Sequence, residues 1–350
     1  FALLVLSGYG EAYDAPRWIG LSAAALSFLL VGAGVHIVQT VGLALATDLV
    51  KEEDQPKVVG LMYVMLLLGM MVSALIYGAL LEHYTPGRLV QIIQGTAVIT
   101  VALNLCAMWK QEARNRERAQ EMKVAKPLPF KVAFTNLAQT EGMIRLLIVI
   151  CLGTFGFGMA DVLLEPYGGQ ALGLSVASTT KLTALFAGGT LIGFAIASRL
   201  LSQTSLPHNV ALAGIAFGIP GFGAIIFASL DGGTISFLIG TFLVGVGAGL
   251  FGHATLTATM RAAPREQVGL ALGAWGAAQA TSAGLGVALA GVVRDLVVGL
   301  QGATGNVAQT PYSIVFTIEI ISLAAAVLVI WPLLKKTTKR NIPSNQAEAL

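Results

Sequence analysis

The sequence predicts an all-α polytopic membrane protein whose spans form two related halves. Three observations carry that expectation. Only 11% of the 350 residues are charged and 55% are hydrophobic, with a mean hydropathy of +0.78. A soluble chain carries roughly 25% charged residues, so this one lacks the charge to clothe a water-facing surface. Apolar runs recur at 18–47, 57–81, 88–109, 142–165, 178–200, 208–230, 234–259, 267–293 and 312–334, each reaching the roughly 20 residues that cross a bilayer. A glycine-rich pattern from the early spans then returns in the later ones.

Taken in order, the chain opens on Phe1, and Phe1–Ser7 reads as the tail of an apolar run. The first span, 18–47, and the eighth, 267–293, exceed the bilayer requirement, which predicts tilt or extension into water. The stretch 110–140 carries seven Lys/Arg and three Glu (Glu112, Glu117, Glu121). Its first part favours helix by propensity, and Pro127 and Pro129 end it. The plain reading is a solvated linker between the halves; the sharper one is a dock for anionic lipid or a partner. The fourth span closes on Asp161-Val-Leu-Leu-Glu-Pro-Tyr-Gly-Gly169. Asp161 and Glu165, four apart, share a helix face. Pro166 is then expected to break the helix and Gly168-Gly169 to open a loop. The domain scheme follows: 1–109 the visible part of an N-terminal helical half, 110–140 the linker, 141–335 a C-terminal six-helix half, 336–350 a tail.

Basic residues set the orientation. With 110–140 in the cytoplasm, the turns at 48–57, 199–208 and 260–266 and the tail from Lys335 fall there too. Of the 21 Lys and Arg, all but Arg17, Arg88, Lys181 and Arg294 lie in or beside these regions. A multi-pass protein with a cytoplasmic C-terminus is expected.

The repeat pairs Gly32-Ala-Gly34, a charged turn and Val59-Gly60-Leu61 with Gly247-Ala-Gly249, the turn Arg261-Ala-Ala-Pro-Arg-Glu266 and Val268-Gly269-Leu270. Transporter folds are commonly built from such repeats. Six spans plus six joined by a long cytoplasmic linker is the major facilitator arrangement. The first half shows three complete spans, so the expectation is that the first two to three spans are absent from this chain.

Several polar residues sit inside the spans. His36 and Thr40 share a helix face, as do His253 and Thr257. A buried histidine ordinarily bonds a neighbouring helix; the sharper reading is an axial ligand to the magnesium of a chlorin, since neutral imidazole is a common metal ligand. Asp161 and Glu165 are either hydrated at the membrane surface or part of a cavity gate, a cation site or a partner site. Asp48 ends one span above Lys51-Glu-Glu-Asp54 and reads as an interhelical latch. Glu319, deep in the last span, needs a partner, for which Lys181 is a candidate. Trp275, Gln279 and Ser282 give the eighth span a polar strip. Small residues at four-residue spacing, Gly69/Ser73, Gly189/Gly193, Gly245/Gly249 and Gly284/Ala288, permit close helix packing.

Some chemistry finds no footing. Cys106 and Cys151 lie in apolar segments without metal or redox spacing. A net charge of +3 gives nucleic-acid binding no support. No nucleotide loop, metal cluster or nucleophile triad is present, so enzyme activity is not expected.

Gly32-Ala-Gly-Val-His-Ile-Val-Gln-Thr-Val-Gly-Leu-Ala-Leu-Ala-Thr-Asp48, Tyr63-Val-Met-Leu-Leu-Leu-Gly69, Trp109-Lys-Gln-Glu-Ala-Arg114, Asp161–Gly169 and Gly269-Leu-Ala-Leu-Gly-Ala-Trp-Gly276 closely resemble the PucC/LhaA family. These are light-harvesting complex assembly proteins of purple phototrophic bacteria, once labelled bacteriochlorophyll synthase subunits. The resemblance covers nearly all of the chain. It implies a twelve-span major facilitator fold in the bacterial inner (intracytoplasmic photosynthetic) membrane. It also implies antenna α and β polypeptides, and the reaction centre–core antenna complex, as partners, and bacteriochlorophyll, bound or in transit, as cofactor. His36, Asp48, Asp161, Glu165 and Trp275 fall in family-like contexts, and the resemblance assigns them no role. Two functions from different classes follow: an antenna assembly factor, or a proton-coupled secondary transporter of a small solute using Asp161, Glu165 or Glu319.

Overall fold

The computed structural model describes residues 16–50, 55–109, 129–203, 206–231, 233–264, 267–301 and 309–340. Most of the basic linker, the turn at 51–54 and the tail beyond 340 lie outside the described residues. The described residues form ten α-helices and no strand: α1 Arg17–Asp48, α2 Gln55–Leu80, α3 Pro86–Met108, α4 Phe130–Gln139, α5 Met143–Gln170, α6 Val176–Gln203, α7 Pro207–Asp231, α8 Thr234–Ala262, α9 Val268–Gln301 and α10 Thr310–Arg340. All but α4 are long and apolar enough to cross a membrane. The chain is an all-α polytopic membrane protein, and each span predicted from hydropathy is a helix.

Local chemistry accounts for the start of α3. Thr85 accepts the Arg88 amide at 3.1 Å and Pro86 opens α3, the preferred residues at those positions. Several hydroxyls within the spans bond their own helix: Thr190 to Phe186 O, Thr241 to Phe237 O and Thr259 to Thr255 O. This is how a threonine is satisfied without water.

The expected break at Pro166 does not occur. α5 runs through Pro166, Gly168 and Gly169 to Gln170. Proline withdraws one amide, and so near the helix end only one hydrogen bond is lost. Gly168 serves packing, since a β-carbon there would lie 3.2–3.3 Å from Leu182, Leu174 and Phe237. The chain turns later, at Gly173, whose φ of +66° is in the left-handed region that glycine favours.

Glycine also explains why α8 is central to the second half. Gly245 and Gly249 press against the backbone of α6 at Phe186 and Thr190, and Gly189 and Gly193 press back at Phe242 and Val246. Another glycine face meets α7, where a β-carbon on Gly240 would sit 2.6 Å from the Gly221 carbonyl oxygen. Small residues let the helices touch backbone to backbone, where dispersion and weak hydrogen bonds replace the missing hydrophobic drive. α8 therefore packs along α6 and α7, and α5 along α9 and α10. The other two small-residue pairs do not pack this way, since β-carbons on Gly69 and Gly284 would meet nothing within 4 Å.

The first half joins this bundle chiefly through α2, which lies along α6. Lys181 of α6 runs over Gly78 of α2. It does not reach Glu319, so the predicted pairing is not formed. The stretch read as a solvated linker ends in a helix, α4. Its Phe130, Phe134 and Leu137 recur at helical spacing, and Leu137 is buried with Met143 and Ala271.

Candidate functional site

Five side chains from five helices meet where the first half contacts the second. Gln39 of α1 donates through Nε2 to the Tyr63 hydroxyl of α2 at 3.2 Å. The Tyr63 ring stacks on Phe194 of α6, with centroids 6.1 Å apart, and meets Trp275 of α9 edge to face at 5.9 Å. Phe194 in turn covers the His253 ring of α8 at 4.0 Å. Trp275 donates its indole N–H to Thr255 of α8 at 3.3 Å. Each of the five lies seven to nine residues from the end of its helix nearest the basic turns, a common depth of roughly 10–14 Å. Aromatic pairs of this kind contribute about 0.5–1.5 kcal/mol each beyond their buried area.

Tyr63 and Gln39 also line a cavity of about 810 Å³ between α1, α2 and α3. Its wall is otherwise apolar, with Val35, Val38, Leu66 and Val101 among its residues, and Thr100 and Asn104 as further polar groups. Asn104 donates to the Thr100 carbonyl at 2.8 Å. Gly34 of the repeat opens onto this cavity, and a β-carbon there would meet nothing within 4 Å. Its counterpart Gly249 is wedged against α6.

The residues selected from sequence fall in several places. His253 belongs to the junction, with its Nδ1 buried and unbonded. Thr257 donates to the His253 backbone carbonyl at 2.9 Å, so the pair does not form a joint side-chain site. His36 is exposed on α1 and is not among the cavity-lining residues. The side chains of Thr40 and Asp48 lie outside the described ones. Gln279 is half-buried and Ser282 buried on α9. Asp161 is exposed on α5, whereas Glu165 turns to α6 and accepts the Thr183 hydroxyl at 2.5 Å. Glu319 is fully buried on α10, and neither carboxyl oxygen has a side-chain hydrogen-bond partner among the described residues. Cys106 and Cys151 are free.

Sequence reasoning missed Gln39, Tyr63 and Phe194. A signal existed for one of them. Tyr63 follows Val59-Gly60-Leu61 and Trp275 follows Val268-Gly269-Leu270, so the repeat places an aromatic residue just beyond each copy.

Comparison with known proteins is unambiguous at the family level. The family model described as PUCC protein matches residues 1–338. "Protein PucC" of Rhodobacter capsulatus is 67% identical over 338 residues, 96% of this chain and 73% of that protein. "Protein PucC" of Rhodovulum sulfidophilum is 58% identical over 315 residues, covering 90% of this chain and 69% of the relative. "Protein PucC" of Cereibacter sphaeroides is 52% identical over 335 residues, covering 96% and 72%. With the family matched along almost its whole length, this chain belongs to the PucC family.

Proposed function

We propose that this protein is an assembly factor for bacterial light-harvesting antenna complexes. It holds antenna polypeptides, delivers bacteriochlorophyll, or does both, in the photosynthetic inner membrane. Its basic turns and C-terminus face the cytoplasm. Membership of the PucC family supports the general role. The cavity between α1, α2 and α3 is the single observation that carries the finer one. It is largely apolar, is set among membrane spans, and at about 810 Å³ falls in the range of pockets that enclose a sizeable organic ligand. A polar solute would find little to replace its hydration there. A hydrophobic client, such as a chlorin or one face of an antenna helix, loses nothing by entering.

The donors present narrow how a pigment is held. Magnesium favours hard oxygen ligands, and imidazole is the alternative. Among the described residues no histidine lines the cavity, and the His253 ring is covered by Phe194. The cavity's own candidates are the side-chain oxygens of Gln39 and Asn104, whose amide nitrogens are already engaged.

The test is a mild-detergent pull-down of the full-length protein, read by absorption and mass spectrometry, beside a Val38→Trp variant that fills the cavity. Near-infrared pigment bands and small antenna polypeptides are expected with the wild type, with at least a fivefold loss in the variant. A colourless wild type without these partners would refute the reading. So would a photo-crosslinker at Val35 that captures only another segment of the same polypeptide.

The second reading, proton-coupled transport, draws on Glu319, a buried carboxyl without a side-chain partner among the described residues. Intramembrane acids of that kind mark proton paths in transporters. Uptake by proteoliposomes that follows an imposed proton gradient would decide for it.

A further inference from the structure

A second cavity lies at the basic end of the second half, away from the aromatic junction. It encloses about 480 Å³ between the end of α4, the α4–α5 turn, the first two turns of α5 and Leu333 of α10. Its lining has a polar part, with Gln139, Thr140, Glu141 and Arg145, and an apolar part, with Ile144, Ile148 and Leu333. We propose that this is a binding site for an anionic phospholipid of the adjacent leaflet, with the headgroup phosphate on Arg145 and an acyl chain along Ile144 and Ile148.

The site is built on a fixed frame. Leu137 and Met143, 1% and 0% exposed, are packed with Ala271 and so pin the α4–α5 turn to α9. Gly142 makes the turn with φ +82°, a conformation a side chain would strain. Arg145 is thereby held at the start of a span. It is exposed and has no ion pair or hydrogen bond among the described residues. The other charged group of the lining, Glu141, has an interaction of its own.

Charge and apolar surface are arranged as a phospholipid requires. Ile144 and Ile148, 47% and 45% exposed, lie one turn apart and form an outward stripe beside the guanidinium. α4 presents a second apolar surface in Phe130 and Phe134, which stack at 5.9 Å and are both exposed. A short helix with such a face lies in the headgroup boundary. Further positive charge is near in the sequence. The linker before α4 holds Lys123 and Lys126, and Lys335 and Lys336 follow Leu333. A planar guanidinium matches phosphate oxygens in a two-bond fork, and a neighbouring acyl groove excludes a free anion as the preferred occupant.

The test is native mass spectrometry of the full-length protein with phosphatidylglycerol, phosphatidylcholine, or phosphatidylglycerol plus excess glycerol phosphate. Wild type should retain phosphatidylglycerol over phosphatidylcholine, undisturbed by glycerol phosphate. Arg145→Gln should lower that retention about fivefold, the effect of one cation at a membrane surface. Arg145→Lys, which keeps the charge but loses the fork, should fall between wild type and Arg145→Gln, and Arg199→Gln, an exposed cation elsewhere, should match wild type. Unchanged retention in Arg145→Gln would overturn the proposal, as would equal loss in Arg199→Gln or displacement by glycerol phosphate. Thermal unfolding of each variant checks that the fold is intact.

Discussion

Gly249 and Gly34 occupy matching places in the internal repeat, yet the structure predicts opposite responses to one added methyl group. In Gly249→Ala the new carbon overlaps the Thr190 carbonyl oxygen, with Phe194 N and Thr190 C each 2.9 Å away. These are backbone atoms of α6 and cannot rotate aside. Overpacking costs about 1–3 kcal/mol, and backbone obstruction places this case at the upper end. The better helix propensity of alanine returns about 1 kcal/mol. A net loss of about 2 kcal/mol remains, roughly 30-fold in the folding equilibrium. In Gly34→Ala the methyl enters the open cavity and meets nothing within 4 Å, so only the propensity gain of up to about 1 kcal/mol applies. The assay is unfolding in mixed micelles of rising denaturing-detergent fraction, followed by circular dichroism. The two variants should separate by about 3 kcal/mol in opposite directions. Shifts of the same sign and within about 0.5 kcal/mol of each other would refute the account of how α8 is seated.

Two further substitutions test the polar interior. Trp275→Phe removes the indole bond to Thr255 but keeps an aromatic edge for Tyr63, for a loss of about 1 kcal/mol. Trp275→Ala removes both and should cost about 3–5 kcal/mol in thermal unfolding, so equal losses would show that the Tyr63 contact contributes nothing. Glu319→Gln breaks no ion pair among the described residues, because none faces it. It should leave both the fold and antenna content of cells unchanged. Lost antenna with an intact fold would give that carboxyl a part in the function.

What the sequence revealed depended on how local the cause was. Spans were legible because twenty apolar residues in a row suffice to make one, and none of the nine was misplaced by more than about two turns at either end. Helix ends were harder. Pro166 and the glycines after it spell a turn in isolation, but Leu182, Leu174 and Phe237 close around Gly168 and keep the helix going. The glycine pairs carried a true signal without an address: spacing says that a face is smooth, not whether a neighbour lies on it. Glu319 and Lys181 were matched by charge alone, and the helix packing sends the lysine to Gly78 instead. The junction was the least legible part, since Gln39, Tyr63, Phe194, His253 and Trp275 stand on five helices. Only their nearly equal distance from the basic turns, visible once the helix ends are known, marks them as one layer.

Tyr63 has a place in both the cavity wall and the aromatic layer. Loading and interhelical contact are therefore thermodynamically linked through one ring. An occupant that displaces the phenol changes the free energy of the contacts on α6 and α9. By reciprocity, any rearrangement that separates those helices from α2 changes the affinity of the cavity by the same factor. On the proposed function, release of an occupant from that cavity needs no chemical step. Separation of α2 from α6 and α9 is enough to change how tightly the cavity holds that occupant.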